Sequence, residues 1–544
     1  MEEIMRLISV NGIKELEKKA DESGFTYAEM MQVAGKGIAA YLDQRYKANG
    51  FETALGLLGK GNNGGDTIIA LTNLQRAGWR TMAHLAVDRG NNDALLEEYQ
   101  ACGGRIIEVQ DLPAIHQKAL GKGLVLDGVF GTGFRVPLAR DIADLLSRTR
   151  ALLPDFKWIA VDCPSGVDCE TGDVSEGTIK ADITLCLQAV KTGLLSYNAF
   201  PYCGEVATIN LGLSKYDEAK EYEQDMVIDD QFVRSMLPQR QPVSHKGSFG
   251  KVMVIGGSVN YTGAPVLSGM GAYAVGTGLV QVAVPESIRA ISLQSGLELT
   301  WLLLEDAGGV ISEQAGDTIL ENFPKVQCVV LGPGIGRDQS TGKFVAGLLI
   351  KEDRSRQVSA GFPGMGVVNS RKAVSGMIPP MVVDADTLFH LSRIKDWHEK
   401  VKTDLVLTPH PGEMALLTGL PIDEIQSDRA GIARKYAMLW KTVLVLKGAL
   451  TVVADPEGSV SVVPVATASL AKAGTGDVLA GMIGGLVAQG LMPYHAAVAG
   501  SYLHARAGLK AEERIGCSES VLAGDVVGAI PLVYRDLKRN DLLS

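Results

Sequence analysis

The feature that most constrains this sequence is a rhythm. Short apolar runs, each closed by a loop rich in Gly, Asp or Asn, recur along the chain and are interrupted once. Ala54–Leu58, Thr81–Val87, Gly123–Leu126, Trp158–Val161 and Ile183–Leu187 form a first series. Val252–Ile255, Leu279–Val284, Cys328–Leu331, Met381–Val383, Leu405–Leu407 and Val443–Leu446 form a second. Such runs are too short for core helices and too uniformly apolar for strands with one wet face. They predict parallel sheets covered by helices on both faces, an α/β class of fold. Between the series lies Ser214–Asp230, SKYDEAKEYEQDMVIDD, polar, acidic and poor in strand formers. The expected organisation is a domain over 1–215, a linker over 216–228 and a second domain over 229–544. A length of 544 residues suits such a division.

Composition narrows the class of function. Net charge is −10 and no long Lys/Arg block occurs, which argues against a nucleic-acid partner. The seven cysteines, Cys102, Cys163, Cys169, Cys186, Cys203, Cys328 and Cys517, are odd in number and contain no C-x-x-C pair. A reducing cytoplasm is expected. Met1-Glu2-Glu3 opens no signal peptide. Ala264–Val284 and Val478–Leu503 are free of charged residues and long enough to raise the question of a membrane span. Glycines punctuate both, and the second adds Gln489, Pro493 and His495, so buried helix and strand are expected instead. Lys351–Ser375 is basic, carries SAGFPGMG and has no clear period; it reads as an inserted loop or a locally divergent stretch.

Three loops in the first half follow predicted strands and carry oxygen-bearing side chains: GKGNNGGD at Gly59–Asp66, DGVFGTGFRVP at Asp127–Pro137 and DCPSGVD at Asp162–Asp168. Each alone could be ordinary turn chemistry. Together, at strand ends of an open sheet, they are expected to converge on one ligand rim. Asn63, Asp127 and Ser165 offer hard oxygens, which suit a hard cation rather than zinc.

The second half presents HKGSFGKVMVIGG, YTGAP, GPGIG, VDAD, TPHPGE, KGALT and, last, GTGD at Gly474–Asp477, which is expected to open a helix near Val478. Backbone N–H groups at a helix start form an anion hole for phosphate. Asp477, at that start, is placed to take a proton from a hydroxyl. A lone G-x-G-D is weak evidence; the ordered series is strong. His410, between two prolines, is either a satisfied loop histidine or a residue held rigidly in a site.

These motifs carry a resemblance. The second half resembles the ADP-dependent NAD(P)H-hydrate dehydratases, through HKGSFGKVMVIGGS, YTGAP, GPGIG, VDAD, TPHPGE, LKGALT and AGTGDVLAGMI. The first half resembles the NAD(P)H-hydrate epimerases, through GKGNNGGD, LDGVFGTGFR and VDCPSGVD. The order matches the fused bifunctional nicotinamide nucleotide repair enzymes. The resemblance implies an N-terminal Rossmann-like three-layer domain and a C-terminal ribokinase-like domain. It implies that the first half interconverts R and S hydrates, which carry a hydroxyl on C6 of the reduced nicotinamide. The second half would return the S hydrate to NAD(P)H while ADP becomes AMP and phosphate.

Site residues follow from the same resemblance. Asn62, Asn63, Gly64, Gly65 and Asp66, with Gly131, Thr132, Gly133, Phe134, Arg135, Val136 and Pro137, and Asp162, would bind the hydrate in the first half. Potassium would sit on Asn63, Asp127 and Ser165, and Asp162 is the candidate acid/base. In the second half Ala264, Gly334, His410 and Asp477 would bind the hydrate. Lys447, Gly448, Ala449, Leu450, Thr451 and Gly476 would bind the nucleotide, with magnesium accompanying ADP and Asp477 as base. A homo-oligomer is expected. Thr67 and Ala473 stand where the family usually has Gly. Two other readings compete: a ribokinase-like kinase for a vitamin or sugar alcohol with an accessory N-terminal half, and a non-catalytic nucleotide sensor. TPHPGE, GNNGGD and the fusion favour the repair enzyme over both.

Overall fold

A computed structural model describes residues 4–90, 93–217, 225–292, 296–350 and 378–539. The chain divides into two compact units, residues 1–227 and 228–544. The predicted insertion over Lys351–Ser375 lies outside the described residues.

The sheet of the first unit is parallel throughout. In spatial order its strands are Arg105–Ile106, Arg80–Leu85, Thr53–Leu58, Gly123–Gly128, Lys157–Val161, Ile183–Leu187 and Glu205–Ile209. Both faces are buried, as uniform apolarity demands. Leu55, Leu57, Val125, Trp158 and Ala160 enter one core cluster. Their alternating neighbours Ala54, Leu58, Leu124, Leu126, Ile159 and Val161 enter the other. Chain order reverses between Thr53–Leu58 and its neighbour Gly123–Gly128. Loops diverge there, and an open α/β sheet presents its ligand crevice at that point.

The second unit repeats the principle with a different order: Val460–Val462, Val452–Ala454, Val443–Leu446, Leu405–Leu407, Met381–Val383, Cys328–Leu331, Lys251–Ile255, Leu279–Pro285 and Thr300–Leu304. The strands from Val443–Leu446 to Thr300–Leu304 are parallel, and Val460–Val462 and Val452–Ala454 are antiparallel additions. Here the order reverses between Lys251–Ile255 and Cys328–Leu331. The two uncharged stretches resolve into helix Ala264–Ala274 with strand Leu279–Pro285, and into helices Thr475–Ala488 and Pro493–Ile515. No helix among the described residues is long and apolar enough to cross a membrane.

The structure departs from expectation at several places. Asn62–Asp66 is the first turn of helix Asn62–Arg76, not a loop. The C-terminal motif also enters its helix earlier, at Thr475 rather than Val478. Within the expected linker, Asp225–Val227 is a strand, and Met226 bridges Arg6. Thr300–Leu304, Glu205–Ile209 and the pair Val452–Ala454 and Val460–Val462 are strands that the apolar rhythm does not mark. Glu205–Ile209 and Thr300–Leu304 are edge strands, only partly buried, and Val452–Ala454 and Val460–Val462 are buried but only three residues long, too short to stand out as runs.

Candidate active sites

The first site forms at the crevice between Thr53–Leu58 and Gly123–Gly128. Its glycines serve close packing. A Cβ on Gly59 would stand 1.8 Å from the Val129 carbonyl oxygen, and one on Gly64 would stand 2.1 Å from that of Gly59. The helix therefore begins hard against the strand end. Gly61 caps it without a side-chain hydrogen bond, so the first backbone N–H groups face the crevice. Thr67, in place of the usual Gly, is buried and donates from its hydroxyl to the Asn63 carbonyl at 2.8 Å.

Asn63, Asp127 and Ser165 come together. Ser165 Oγ donates to Asp127 Oδ1 at 2.6 Å, and Ser165 N donates to Oδ2 at 3.0 Å. Ser165 Oγ accepts from Phe130 N at 3.0 Å, while Asn63 Nδ2 donates to the Phe130 carbonyl at 2.6 Å. Burial pushes the Asp127 carboxyl up, with the Ser165 hydrogen bonds opposing. Asn63 Oδ1 is buried and has no hydrogen-bond partner among the described residues. An unsatisfied buried oxygen beside a buried carboxyl is a donor set suited to a hard cation. Among the described residues no group of three or more His, Cys, Asp and Glu side chains forms a metal cluster.

A cavity of about 820 Å³ opens beside them. Asn62, Asn63, Asp66, Asp162, Pro137 and the run Gly131–Arg135 line it. Gly64 and Gly65 pack inward instead, and the Val136 side chain is exposed. Asp162 adopts φ +64°, a left-handed conformation costly for a residue with a Cβ. Its Oδ1 accepts from Leu187 N at 2.9 Å and from Lys191 Nζ. Lys191 is buried; burial disfavours its charge, but Asp162 with the neighbouring Cys186 and Cys169 together raise its pKa. Asp66, 6% exposed, is pushed well above the usual carboxylate range by burial, then by Asp162 and Glu17, with Lys191 opposing. Glu17, from helix Val10–Glu22, also lines the cavity and is raised by burial. Sequence reasoning missed Lys191 and Glu17. The available signal for Lys191 was a lone cation in QAVKTG, directly after an apolar strand.

The second site surrounds the N-terminus of helix Thr475–Ala488. Gly474, at φ +93°, makes the left-handed entry. Thr475 Oγ1 ties the turn back to the Leu470 and Lys472 carbonyls at 2.8 and 2.9 Å. Asp477 lies in the first helical turn and faces a cavity of about 510 Å³. Burial, then repulsion from Asp384, lifts its carboxyl to about 7, against the pull of Lys447. Lys447 Nζ reaches Asp384 Oδ1 at 2.6 Å and Glu413 Oε2 at 3.7 Å. A Cβ on Gly476 would stand 3.4 Å from that ammonium, so glycine keeps the helix end open to it.

His410 caps helix Pro411–Thr418: its Nδ1 accepts from Gly412 N and Glu413 N, while His410 N donates to Glu413 Oε2 at 2.8 Å. The cap satisfies its Nδ1, and the ring also lies against the cavity. His410, Lys447, Gly448, Ala449, Thr451, Gly476 and Asp477 share the cavity wall. Leu450, at φ +54°, is buried instead. Ala264 and Gly334 pack on each other, with a Cβ on Gly334 3.0 Å from that of Ala264. They adjoin Tyr261, which with Gly336, Arg337 and Asp386 lines a separate cavity of about 560 Å³. The two cavities are flanked by consecutive residues, Asp384 and Ala385 on one and Asp386 on the other. Motif spacing assigns no individual role to Asp384 in VDAD or Glu413 in TPHPGE; their positions around Lys447 depend on three separate strand ends.

These features define a two-site α/β enzyme with a Rossmann-like unit and a ribokinase-like unit. The profile described as NAD(P)H-hydrate dehydratase matches residues 252–532, and that of the YjeF-related protein N-terminus matches 27–193. The bifunctional NAD(P)H-hydrate repair enzyme Nnr of Moorella thermoacetica is 34% identical over 94% of this chain and 92% of its own. That of Salinibacter ruber is 32% identical over 94% and 93%. A solved ADP/ATP-dependent NAD(P)H-hydrate dehydratase from Bacillus subtilis is 28% identical, covers 57% of this chain and 97% of its own, and has a TM-score of 0.46. The chain belongs to the family of bifunctional NAD(P)H-hydrate repair enzymes.

Proposed function

We propose that this chain epimerises R and S NAD(P)H hydrates in its first unit and dehydrates the S form to NAD(P)H in its second, converting ADP to AMP and phosphate. The assignment takes 1–215 and 229–544 as the two catalytic domains. The observation that carries it is Asp477: a carboxyl held near 7 at an open helix N-terminus, beside a half-buried lysine. A base with that affinity accepts a hydroxyl proton at neutral pH. The backbone N–H groups of the same turn hold the transferred phosphoryl group, and Lys447 offsets its charge. Once phosphorylated, the C6 oxygen leaves as phosphate, C5 gives up a proton to solvent, and the C5–H electron pair becomes the restored C5–C6 double bond.

The hydrate in this site is assigned to Ala264, Gly334, His410 and Asp477, and the nucleotide to Lys447–Thr451 and Gly476. Magnesium with the nucleotide fits the carboxylates of Asp384, Glu413 and Asp477, since that ion needs only one or two carboxylates besides phosphate oxygens. It would supply charge neutralisation between phosphates. In the first unit the hydrate is assigned to Asn62–Asp66, Gly131–Pro137 and Asp162, with Asp162 a proton-transfer group. Potassium fits Asn63, Asp127 and Ser165, because it would satisfy the orphaned Asn63 Oδ1 and the buried Asp127 carboxyl. We also assign the chain to the reducing cytoplasm, supported by its loosely spaced cysteines, and to a homo-oligomer, supported by the resemblance alone.

The test supplies mixed R and S NADH hydrates with ADP, then with ATP. Return of reduced-nicotinamide absorbance with ADP is the expected result. No return with either nucleotide refutes the reading.

A further inference from the structure

The first site holds a group whose chemistry its family assignment leaves open. Asp66 lines the 820 Å³ cavity and is 6% exposed, yet no donor among the described residues reaches its carboxyl. Asp162, in the same wall, is the opposite case: its carboxylate is held by the Leu187 N–H and the Lys191 ammonium. A buried carboxyl without donors is stable only with its proton on, whereas one paired with a buried ammonium is stable without it. The environment therefore separates two carboxyls at one cavity into an acid and a base, the division that assigns roles in general acid–base pairs. Burial and the neighbouring Glu17 and Asp162 carboxylates raise Asp66 in the same sense, with only Lys191 opposing.

We propose, resting on the epimerase reading of this unit, that Asp66 is the proton donor and Asp162 the proton acceptor of a reversible ring opening at C6 of the hydrate. C6 bears a hydroxyl and the ring nitrogen. Asp162 takes the hydroxyl proton, the C6–O bond becomes a carbonyl, and the C6–N bond breaks. Its electron pair goes to nitrogen, which takes the Asp66 proton. Rotation about the C5–C6 bond turns the other carbonyl face to the nitrogen. Addition of the nitrogen to that face then returns the nitrogen proton to Asp66, while the Asp162 proton goes back to the oxygen and re-forms the hydroxyl. Atoms and electrons balance with no oxidant, reductant or water, and the product is the opposite epimer.

Glu17 is a positioning residue in this scheme. Its negative charge keeps the proton on Asp66. The groups that face Asp66 are Glu17, from helix Val10–Glu22, Asp162, from the end of strand Lys157–Val161, and Lys191; Lys14 in turn faces Glu17. Lys60 and Arg135 complete the charged lining of the cavity.

The experiment follows purified R NADH hydrate with ADP, where return of absorbance requires epimerisation, and purified S hydrate with ADP, where it does not. Asp66→Asn is expected to lower kcat for the R hydrate by roughly a hundred- to ten-thousand-fold, with KM within about threefold and the S-hydrate rate unchanged. An R-hydrate kcat within tenfold of wild type overturns the assignment. Glu17→Gln leaves Asp66 in place but removes its charged neighbour. The acid form of Asp66 then gives up its proton at lower pH, so the alkaline limb of the R-hydrate kcat profile should move to lower pH; an unmoved limb overturns the role of Glu17. Turnover in ¹⁸O-water should leave the hydroxyl oxygen unexchanged. One solvent oxygen gained per epimerisation refutes ring opening in favour of water loss and return. Wild-type enzyme that uses the S hydrate but not the R hydrate fails the epimerase reading itself, a result separable from all of these.

Discussion

Asp477→Asn should stabilise the fold while removing dehydratase activity. The carboxyl sits at about 7 in the folded chain, against roughly 3.9 for an unperturbed Asp. Between those values the folded chain holds a proton that the unfolded chain has lost. Stability therefore falls as pH rises through that window and stays at its lowest above it. Three pKa units at about 1.36 kcal/mol each set a ceiling near ~4 kcal/mol. Asp477 faces an open cavity, and solvent screening reduces this to about 2 kcal/mol. Asparagine keeps the shape and never ionises, so it escapes the whole penalty. Thermal melts without nucleotide should show the variant higher at pH 8 by about 3 °C, with the gap shrinking to about a third at pH 5. Dehydration of S hydrate should fall by roughly a hundredfold or more. A variant no more stable than wild type at pH 8, or stabilised equally at both pH values, refutes the claim that this base is held at a cost to the fold.

Lys447→Met removes the cation that lowers the Asp477 pKa; the acid limb of the dehydratase pH profile should move to higher pH, and the KM for ADP should rise. A limb that stays put means Lys447 does not tune the base. Asp127→Ala should abolish epimerisation and its response to added potassium while S-hydrate dehydration continues, measured with separate R and S substrates. Lys191→Met leaves Asp162 buried beside no cation, which should destabilise the first unit by about 3–5 kcal/mol. A denaturant titration followed by a probe in that unit would read it.

The strand plan was legible from sequence because both faces of each sheet are buried. A strand with no wet face writes its presence as an uninterrupted apolar run, and Ile183–Leu187, Cys328–Leu331, Met381–Val383, Leu405–Leu407 and Val443–Leu446 occupy the predicted residues. Glu205–Ile209 and Thr300–Leu304 lie at sheet edges, where burial is partial and the pattern fades. The glycines of GKGNNGGD announced a close approach, but the thing approached was the chain's own Val129 and Gly59 carbonyls. A sequence marks where a Cβ is forbidden without naming the atom that forbids it.

The sequence by itself determined the chemistry available: an acid at a helix start in GTGD, hard oxygens at three strand ends, a lysine after Val443–Leu446. It could not determine protonation, because a carboxyl's affinity depends on burial and on charges contributed from distant parts of the chain. Asp384 and Lys447 meet at 2.6 Å across 63 residues, and Lys191 reaches Asp162 across 29. Only the tertiary structure supplies those meetings and the burial around them: burial, then Asp384, lifts Asp477 to about 7 against Lys447, and burial, then Asp162 and Glu17, raises Asp66 against Lys191.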